Sequence, residues 1–513
     1  MAERVRFTVD GRHVEADADS SLLGALWTSG ARALRQSVSG EARGPLCAMG
    51  TCFECRVSVD GEPHVRACLT PVRAGMSVAL GAHGLAARER PTVEAPPLEA
   101  RVVVVGGGPA GIAAAVLAAE SGARTLLVDT NPRAGGQIWR HRREPPKAAR
   151  AWTARLARSA TSVLGATVVD AAPGELLLEH AGQPRRVRFD RLVLATGARE
   201  LFLPFPGWTL PGVVGAGGAQ ALLKAGAGFA GRRVVLAGSG PLLLAVAATL
   251  AASGARLVGI AEQAPMRSLL AFGASLWRTP RKLAEGFGYR ARLLGAPYRA
   301  GAWVRQVEEQ SGALRATLTD GRREWTWDSD VLAIGYGLVP NLELPRLVGC
   351  RIADGRVDAD RTQQTSLPRV YAAGELCGIA GVSHALSSGA VAGLAAAGCD
   401  LPGSLVRRCE RERAFGARLA AAFALRDELR RLARPETVVC RCEDVACGRL
   451  EGYTSAREAK LATRTGMGPC QGRVCGAALG FLRGFEPESV RPPLAPAPVG
   501  VQAGAAFEPP RGQ

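Results

Sequence analysis

Two hydrophobic rhythms run through this chain. Tight apolar runs at 102–105, 192–194, 234–236 and 331–334 read as strands of buried parallel sheet. Small-residue stretches follow two of these runs, to about residues 121 and 252, and read as helices lying close to a sheet. Near the start, 4–8 and 12–15 read as short strands around the turn Asp10-Gly11. Ser20 is expected to cap a helix to about residue 29, because Leu22, Leu23, Leu26 and Trp27 share one face. Further on, the pattern predicts a helix over 147–163, short strands over 166–193 and a strand ending on Gly374-Glu375. Helices are expected from about 383 to 397, over 404–433 with its charges as a solvated face, and around 454–463.

Chemistry enters at the strand ends. The run at 102–105 leads into Gly106, Gly108 and Gly111, with Pro109 and Ala110 inside the turn, and the next strand ends on Asp129. Gly106 permits the tight turn, Gly108 admits a pyrophosphate, and Gly111 lets helix and strand pack closely. The helix N-terminus offers free N–H groups to phosphate, and the acid at 129 is placed to accept from a ribose hydroxyl. The pattern predicts a dinucleotide-binding unit; a Gly-rich turn in some other α/β sheet would not need the acid. Gly135, Gly136 and Gln137 form a second close turn, read either as an approach to a bound ring system or as an ordinary loop. Residues 232–262 nearly repeat the unit with Gly238, Gly240 and Glu262, but Leu243 replaces the third glycine. That weakens the expectation of a nicotinamide nucleotide there and leaves a retained fold without nucleotide as the alternative.

The chain has 513 residues, 47% hydrophobic and 21% charged, which is ordinary for a multidomain globular protein. The formal charge of +18 comes almost wholly from arginine and is spread, with only 5% aromatic residues. That reads as a basic surface and not as a nucleic-acid interface. No signal-type apolar core opens the chain and no stretch reads as a membrane span, so a cytoplasmic location is expected, with peripheral membrane contact left open. In that compartment thirteen cysteines are expected to bind metal and not to pair.

Eight of them form two groups. Cys47, Cys52 and Cys55 have the spacing C-x4-C-x2-C, with Cys68 further on, which is the plant-type [2Fe–2S] pattern. Cys440, Cys442, Cys470 and Cys475 lie on two loops flanking the expected helix at 454–463, and fit a second cluster or a zinc site. Cys350, Cys377, Cys399, Cys409 and Cys447 read as inert. No cysteine pair accompanies either nucleotide unit, so redox disulfide chemistry is not expected there. His64 and His384 read as structural. No catalytic acid or base stands out.

With these motifs in place, residues 101–400 resemble the two-dinucleotide-binding-domain flavoproteins. The resemblance implies that GGGPAG binds FAD pyrophosphate and Asp129 its ribose, and that Ala195, Thr196, Gly197, Gly374 and Glu375 line the flavin site. The family more often has Asp where Glu375 stands. CRCEDV and GPCQGRVCG resemble a bacterioferritin-associated-ferredoxin-type [2Fe–2S] domain, and GPLCAMGTCFECRV resembles the ferredoxin-like small subunit of hydrogen cyanide synthase, opine oxidase and hydroxyproline or proline dehydrogenase complexes. The whole resembles a fusion of the small and large subunits of those complexes. Sarcosine oxidase large subunits share the first part.

The implied fold is multidomain α/β: a β-grasp-like ferredoxin domain at 1–83, a linker at 84–99, and a discontinuous FAD domain at 100–230 and 331–403. An NAD(P)-binding-like domain is expected at 231–330, a helical segment with a small [2Fe–2S] domain at 404–485, and a Pro-rich arm, extended or disordered, at 486–513. The implied function is electron transfer by FAD and two [2Fe–2S] clusters, in a hetero-oligomer with a separate FAD-dependent amino-acid- or imino-acid-oxidising subunit. An FMN between subunits is also allowed by the resemblance. A self-contained NAD(P)H-dependent reductase is the alternative.

Overall fold

The computed structural model describes residues 3–81, 95–140, 145–486 and 489–503. The chain divides into two compact units: Met1–Ala86, Glu200–Leu338 and Leu419–Glu488 form one, and Ala87–Arg199, Val339–Arg418 and Ser489–Gln513 the other. Most of the expected linker, 84–94, lies outside the described residues, and a strand begins at Leu98.

In the second of these units, four strands run parallel in the order Thr161–Leu164, Thr125–Asp129, Leu98–Val105, Gln183–Leu194, and Val370–Ala372 also pairs parallel with Gln183–Leu194. An antiparallel meander of Ala166–Ala172, Glu175–His180 and Gln183–Leu194 completes the sheet. Val102 and Val104 face one apolar layer while Val103 and Val105 face the other, as the two-residue strand period requires. The helices Pro109–Glu120 and Val382–Ala397 pack against each other through glycine. A Cβ at Gly389 would stand 2.1 Å from the Ala110 carbonyl oxygen, and one at Gly393 2.3 Å from that of Ala114.

In the first unit, the segment 4–79 forms a five-stranded sheet in the order Arg12–Asp17, Arg4–Val9, Ser77–Ala79, Arg56–Val59, Glu62–Arg66, with the helix Leu22–Thr28 beside it. A second, all-parallel sheet runs Val213–Gly215, Val331–Gly335, Arg233–Gly238, Arg256–Glu262, Tyr298–Ala300. One apolar core serves both sheets, and Trp27 stacks on Phe229 with ring centroids 5.6 Å apart.

Several sequence expectations are corrected. Ser21, not Ser20, caps the first helix, accepting from Gly24 N at 3.1 Å. The helix expected over 147–163 ends at Ser159, because Thr161–Leu164 joins the parallel sheet, where Thr161 and Val163 are favoured. The helix expected to 433 ends at Ala422. Val331–Gly335 does not resume the first sheet: it pairs with Arg233–Gly238, and Val370–Ala372 alone resumes it. Both runs are apolar, so only the partner decides. The tail expected as a loose arm is ordered over 489–503: Leu494 is 4% exposed and donates its N–H to Val169 O at 2.8 Å, and Val501 is buried against Val169 and Leu177.

Candidate functional site

The first cysteine loop is wound tightly. Ala48 and Phe53 take positive φ, and a Cβ at Gly44 would stand 2.5 Å from Arg32 O. Leu46 O accepts from Gly215 N at 2.7 Å, which ties the loop to the start of the helix Ala216–Lys224. All four thiols are buried. Cys47 and Cys52 Sγ are 3.1 Å apart, and Thr51 Oγ1 and Met49 N each donate to Cys47 Sγ at 3.3 Å. Burial raises the Cys47 thiol, but these hydrogen bonds outweigh it and bring it down to about 5. Cys68 bonds Cys55, and that bond together with burial holds its thiol high. Beneath the loop the Glu200 carboxylate accepts from Gly217 N at 2.7 Å and Gly218 N at 3.1 Å; burial nevertheless pushes it up to about 8.

The second set converges as its spacing suggests. Cys440 closes the strand Val438–Cys440, and Cys475 opens the helix Cys475–Arg483. Cys440 bonds Cys475, and Cys442 bonds Cys470. Gly466 N donates to Cys440 Sγ at 3.4 Å, and Gly468 lets the two loops close, since a Cβ there would lie 2.2 Å from Cys442 Cβ. Among the described residues no three or more His, Cys, Asp or Glu converge on a single-ion site. The thiols stand two by two in both sets, and a [2Fe–2S] centre takes two thiolates on each iron.

At the first nucleotide turn, Gly106 has φ +114, and a Cβ at Gly111 would stand 1.7 Å from Gly106 O. The Asp129 carboxylate accepts from Gly107 N and, at 2.6 Å, from Asn131 N, so it fastens the turn. Gly135 N donates to Gly107 O at 2.7 Å, and Gly136 passes close enough to Gly108 that a Cβ would reach 2.8 Å from its Cα. Asn341, which the sequence did not single out, holds the strand end at 195–197. It donates Nδ2 to Thr196 O at 2.8 Å and its backbone N–H to Gly197 O at 3.0 Å. Gly374 N donates to Ser388 Oγ at 2.9 Å. Burial alone raises Glu375 to about 7. His384 is 1% exposed; burial, with Arg413 adding, lowers it to about 4, so the ring is neutral, and neither ring nitrogen has a partner among the described residues.

The second turn differs. Glu262 is 1% exposed and accepts from Gly240 N and Ala264 N, both at 2.8 Å. Residues 423–426 cross over it. Ser239 Oγ donates to Phe423 O and Gln263 Nε2 to Ala424 O, each at 3.2 Å, and Arg426 N returns a bond to Gln263 Oε1. Phe423 packs edge-on against Phe272, and the Arg426 guanidinium lies 4.7 Å from the Trp303 ring. The Phe423 carbonyl thus accepts from the middle of the glycine turn, and the Ala424 carbonyl from the residue after Glu262. Nothing in the Leu- and Ala-rich run before 423 marked this crossing.

Of the leftover cysteines, Cys350, Cys377, Cys409 and Cys447 are buried and Cys399 is exposed; burial pushes Cys377 up to about 12. Among the described residues no helix is long and apolar enough to cross a membrane.

Residues 100–389 match the family model for the pyridine nucleotide-disulphide oxidoreductases, and residues 2–82 that for a 2Fe-2S iron-sulfur cluster binding domain. The chain belongs to the pyridine nucleotide-disulphide oxidoreductase family and carries a ferredoxin-type module ahead of it. Among its relatives, the HcnB subunit of hydrogen cyanide synthase from Pseudomonas aeruginosa is 32% identical over 73% of this chain and 90% of its own length. An opine oxidase subunit of Rhizobium meliloti is 33% identical over 78% of this chain and 97% of its own length. The HcnA subunit of the Pseudomonas aeruginosa hydrogen cyanide synthase, a separate protein, is 40% identical over 83 residues, which are 16% of this chain and 80% of HcnA. Sequence carried there by two subunits is one chain here. The crystal structure of L-proline dehydrogenase from P. horikoshii shares the fold, with a TM-score of 0.70 over 98% of this chain and 97% of that one at 20% identity.

Proposed function

We propose that this chain is the FAD and iron–sulfur electron-transfer subunit of a heteromeric dehydrogenase or oxidase of amino or imino acids. A separate FAD-dependent subunit oxidises the substrate C–N bond. The observation that carries this reading is the contrast between two complete four-cysteine sets and a nicotinamide-type turn closed by the chain itself. The activities named for the relatives, those of hydrogen cyanide synthase and opine oxidase, support it.

The residues of the first turn fit FAD. Gly106, Gly108 and Gly111 leave room for a pyrophosphate at a helix N-terminus with Pro109 as its first residue. The unpartnered His384 ring nitrogens near Gly374 fit a polar ring system that would satisfy them. A bound FAD would accept two electrons and pass them singly to one-electron carriers. The chain's own tasks follow from its residues. Asp129 and Asn341 hold the flavin-side loops, Cys47, Cys52, Cys55 and Cys68 hold one [2Fe–2S] cluster, and Cys440, Cys442, Cys470 and Cys475 hold the other. Residues 423–426 exclude NAD(P). No side chain is assigned as catalytic acid or base, and no residue is assigned to an FMN.

Purification of the native complex and assay against a panel of amino and imino acids tests the reading. Substrate-dependent flavin bleaching is expected only with the partner present, and oxidation of proline, hydroxyproline or an opine by the chain alone would overturn it. Anaerobic NADH is expected to leave the flavin spectrum of the chain unchanged; bleaching would favour a self-contained NAD(P)H reductase.

A further inference from the structure

Each cysteine set carries a charged residue within its most closely spaced cysteines. Glu54 lies between Cys52 and Cys55, and Arg441 lies between Cys440 and Cys442. The two are 387 positions apart, yet Arg441 Nε stands 3.3 Å from Glu54 Oε1, with their side chains 1% and 0% exposed. Arg35 joins them: its Nη2 donates to Glu54 Oε2 at 3.0 Å and to Arg441 O at 3.3 Å. Arg441 is fixed from behind by Nη1 donating to Trp208 O at 2.9 Å. A second buried pair, Arg43 with Asp444 at 2.8 Å, flanks the first. The Glu54 carboxylate acts electrostatically on thiols of both sets, Cys52 and Cys442.

As a clamp this arrangement is a poor choice. Burying charge costs more than packing apolar side chains of the same volume commonly would. The geometry also leaves Glu54 Oε1 and Arg441 Nε without an aligned hydrogen bond. What buried charges do well is set the local potential, because little water screens them.

We infer that the Arg35–Glu54–Arg441 triad is an ionic bridge joining the two cluster sites, so that the clusters titrate as one coupled pair and not as independent carriers. The inference rests on the reading that both cysteine sets hold [2Fe–2S] clusters. Uptake of one electron from a reduced flavin, which is itself oxidised by one electron, adds one negative charge to one cluster. Arg441 and Arg35 favour that charge and Glu54 opposes it. Because the triad touches both ligand loops, a change of its charge acts on both clusters with the same sign. These three are positioning residues; none of them holds iron.

The test is a potentiometric titration of the full holoprotein followed by EPR, after iron and sulfide analysis of each sample. Glu54→Gln is expected to raise both cluster midpoints, and Arg35→Gln, which lies outside both ligand loops, to lower both. In wild-type protein, full reduction is expected to give magnetically interacting signals that differ from the sum of two isolated clusters. Two clusters present by analysis, with non-interacting signals or with only one midpoint moved in the variants, would overturn the inference. Iron for a single cluster would instead overturn the two-cluster reading. If Glu54→Gln fails to fold, Arg35→Gln and the wild-type spectrum still decide.

Discussion

The two glycine-rich turns begin from nearly the same sequence and end in different structures. Among the described residues GGGPAG at 106–111 is bonded by Asp129 and Gly135, while GSGPLL at 238–243 is crossed by residues 423–426. Both follow a parallel strand, both precede a helix, and both acids fasten their own turn, Asp129 to Gly107 and Glu262 to Gly240. Two things separate them. Gly111 allows its helix to meet the Gly106 carbonyl, whereas Leu243 fills the matching position and is buried in the core. The side chains of Ser239 and Gln263 also bond the backbone carbonyls of Phe423 and Ala424 at the second turn. The same strand–turn–helix frame therefore serves two sheets while its turn is bonded by different parts of the chain.

The sharpest way to break this comparison is to make the first turn resemble the second. Gly111→Leu forces a side chain onto the Gly106 carbonyl, and a loss of more than about 3 kcal/mol is expected. Purified Gly111→Leu protein should lack flavin absorbance and melt well below the wild type; normal flavin content would remove the steric distinction between the two turns.

A smaller effect is expected at Glu262. Burial raises its folded pKa to about 7, against the opposing bonds from Ala264 and Gly240 N–H groups. The folded state holds this proton more tightly than the unfolded state. Its contribution is thus fully present below the ordinary glutamate range and is lost as pH rises through about 7. At 1.36 kcal/mol per pKa unit the loss is roughly 3 kcal/mol. Denaturant melts at pH 4.5, 6 and 8 should show this slope reduced in Glu262→Gln; an unchanged slope would mean that the carboxylate is already relieved by water.

The mildest change is Ser239→Ala, which removes the hydroxyl bond to Phe423 O at 3.2 Å. A cost of about 1 kcal/mol is expected, with flavin content and cluster potentials unaltered. A gain of NADH-dependent flavin bleaching in this variant would show that the crossing segment is a removable lid.

Much of the site was legible in the chain. Cysteine spacing, glycine spacing and the acid at a strand end are local requirements of the chemistry, so they survive in one dimension. The apolar runs were legible too, but not their partners: 331–334 reads like 102–105 and sits in another sheet. The tail at 486–513 reads as loose because proline and alanine carry no strong period, yet Leu494 and Val501 find apolar surface to cover. The sequence predicts helix over 404–433 because Leu, Ala and Arg favour helix throughout, but it stops at Ala422, where Gln263 offers the backbone at 424 and 426 other hydrogen bonds.

The sequence by itself determined the motifs: two glycine-rich turns with an acid at a strand end, two four-cysteine sets, and no cysteine pair beside the nucleotide-type units. Those depend on residue type at short spacing. Only the tertiary structure decided that residues 423–426 bond the second turn, and that Glu54 and Arg441 face each other across nearly four hundred residues. The reason is physical. A hydrogen bond to a carbonyl or an ion pair in the core depends on three-dimensional proximity, and a charged residue gives no local sign of the distant partner that will bury it.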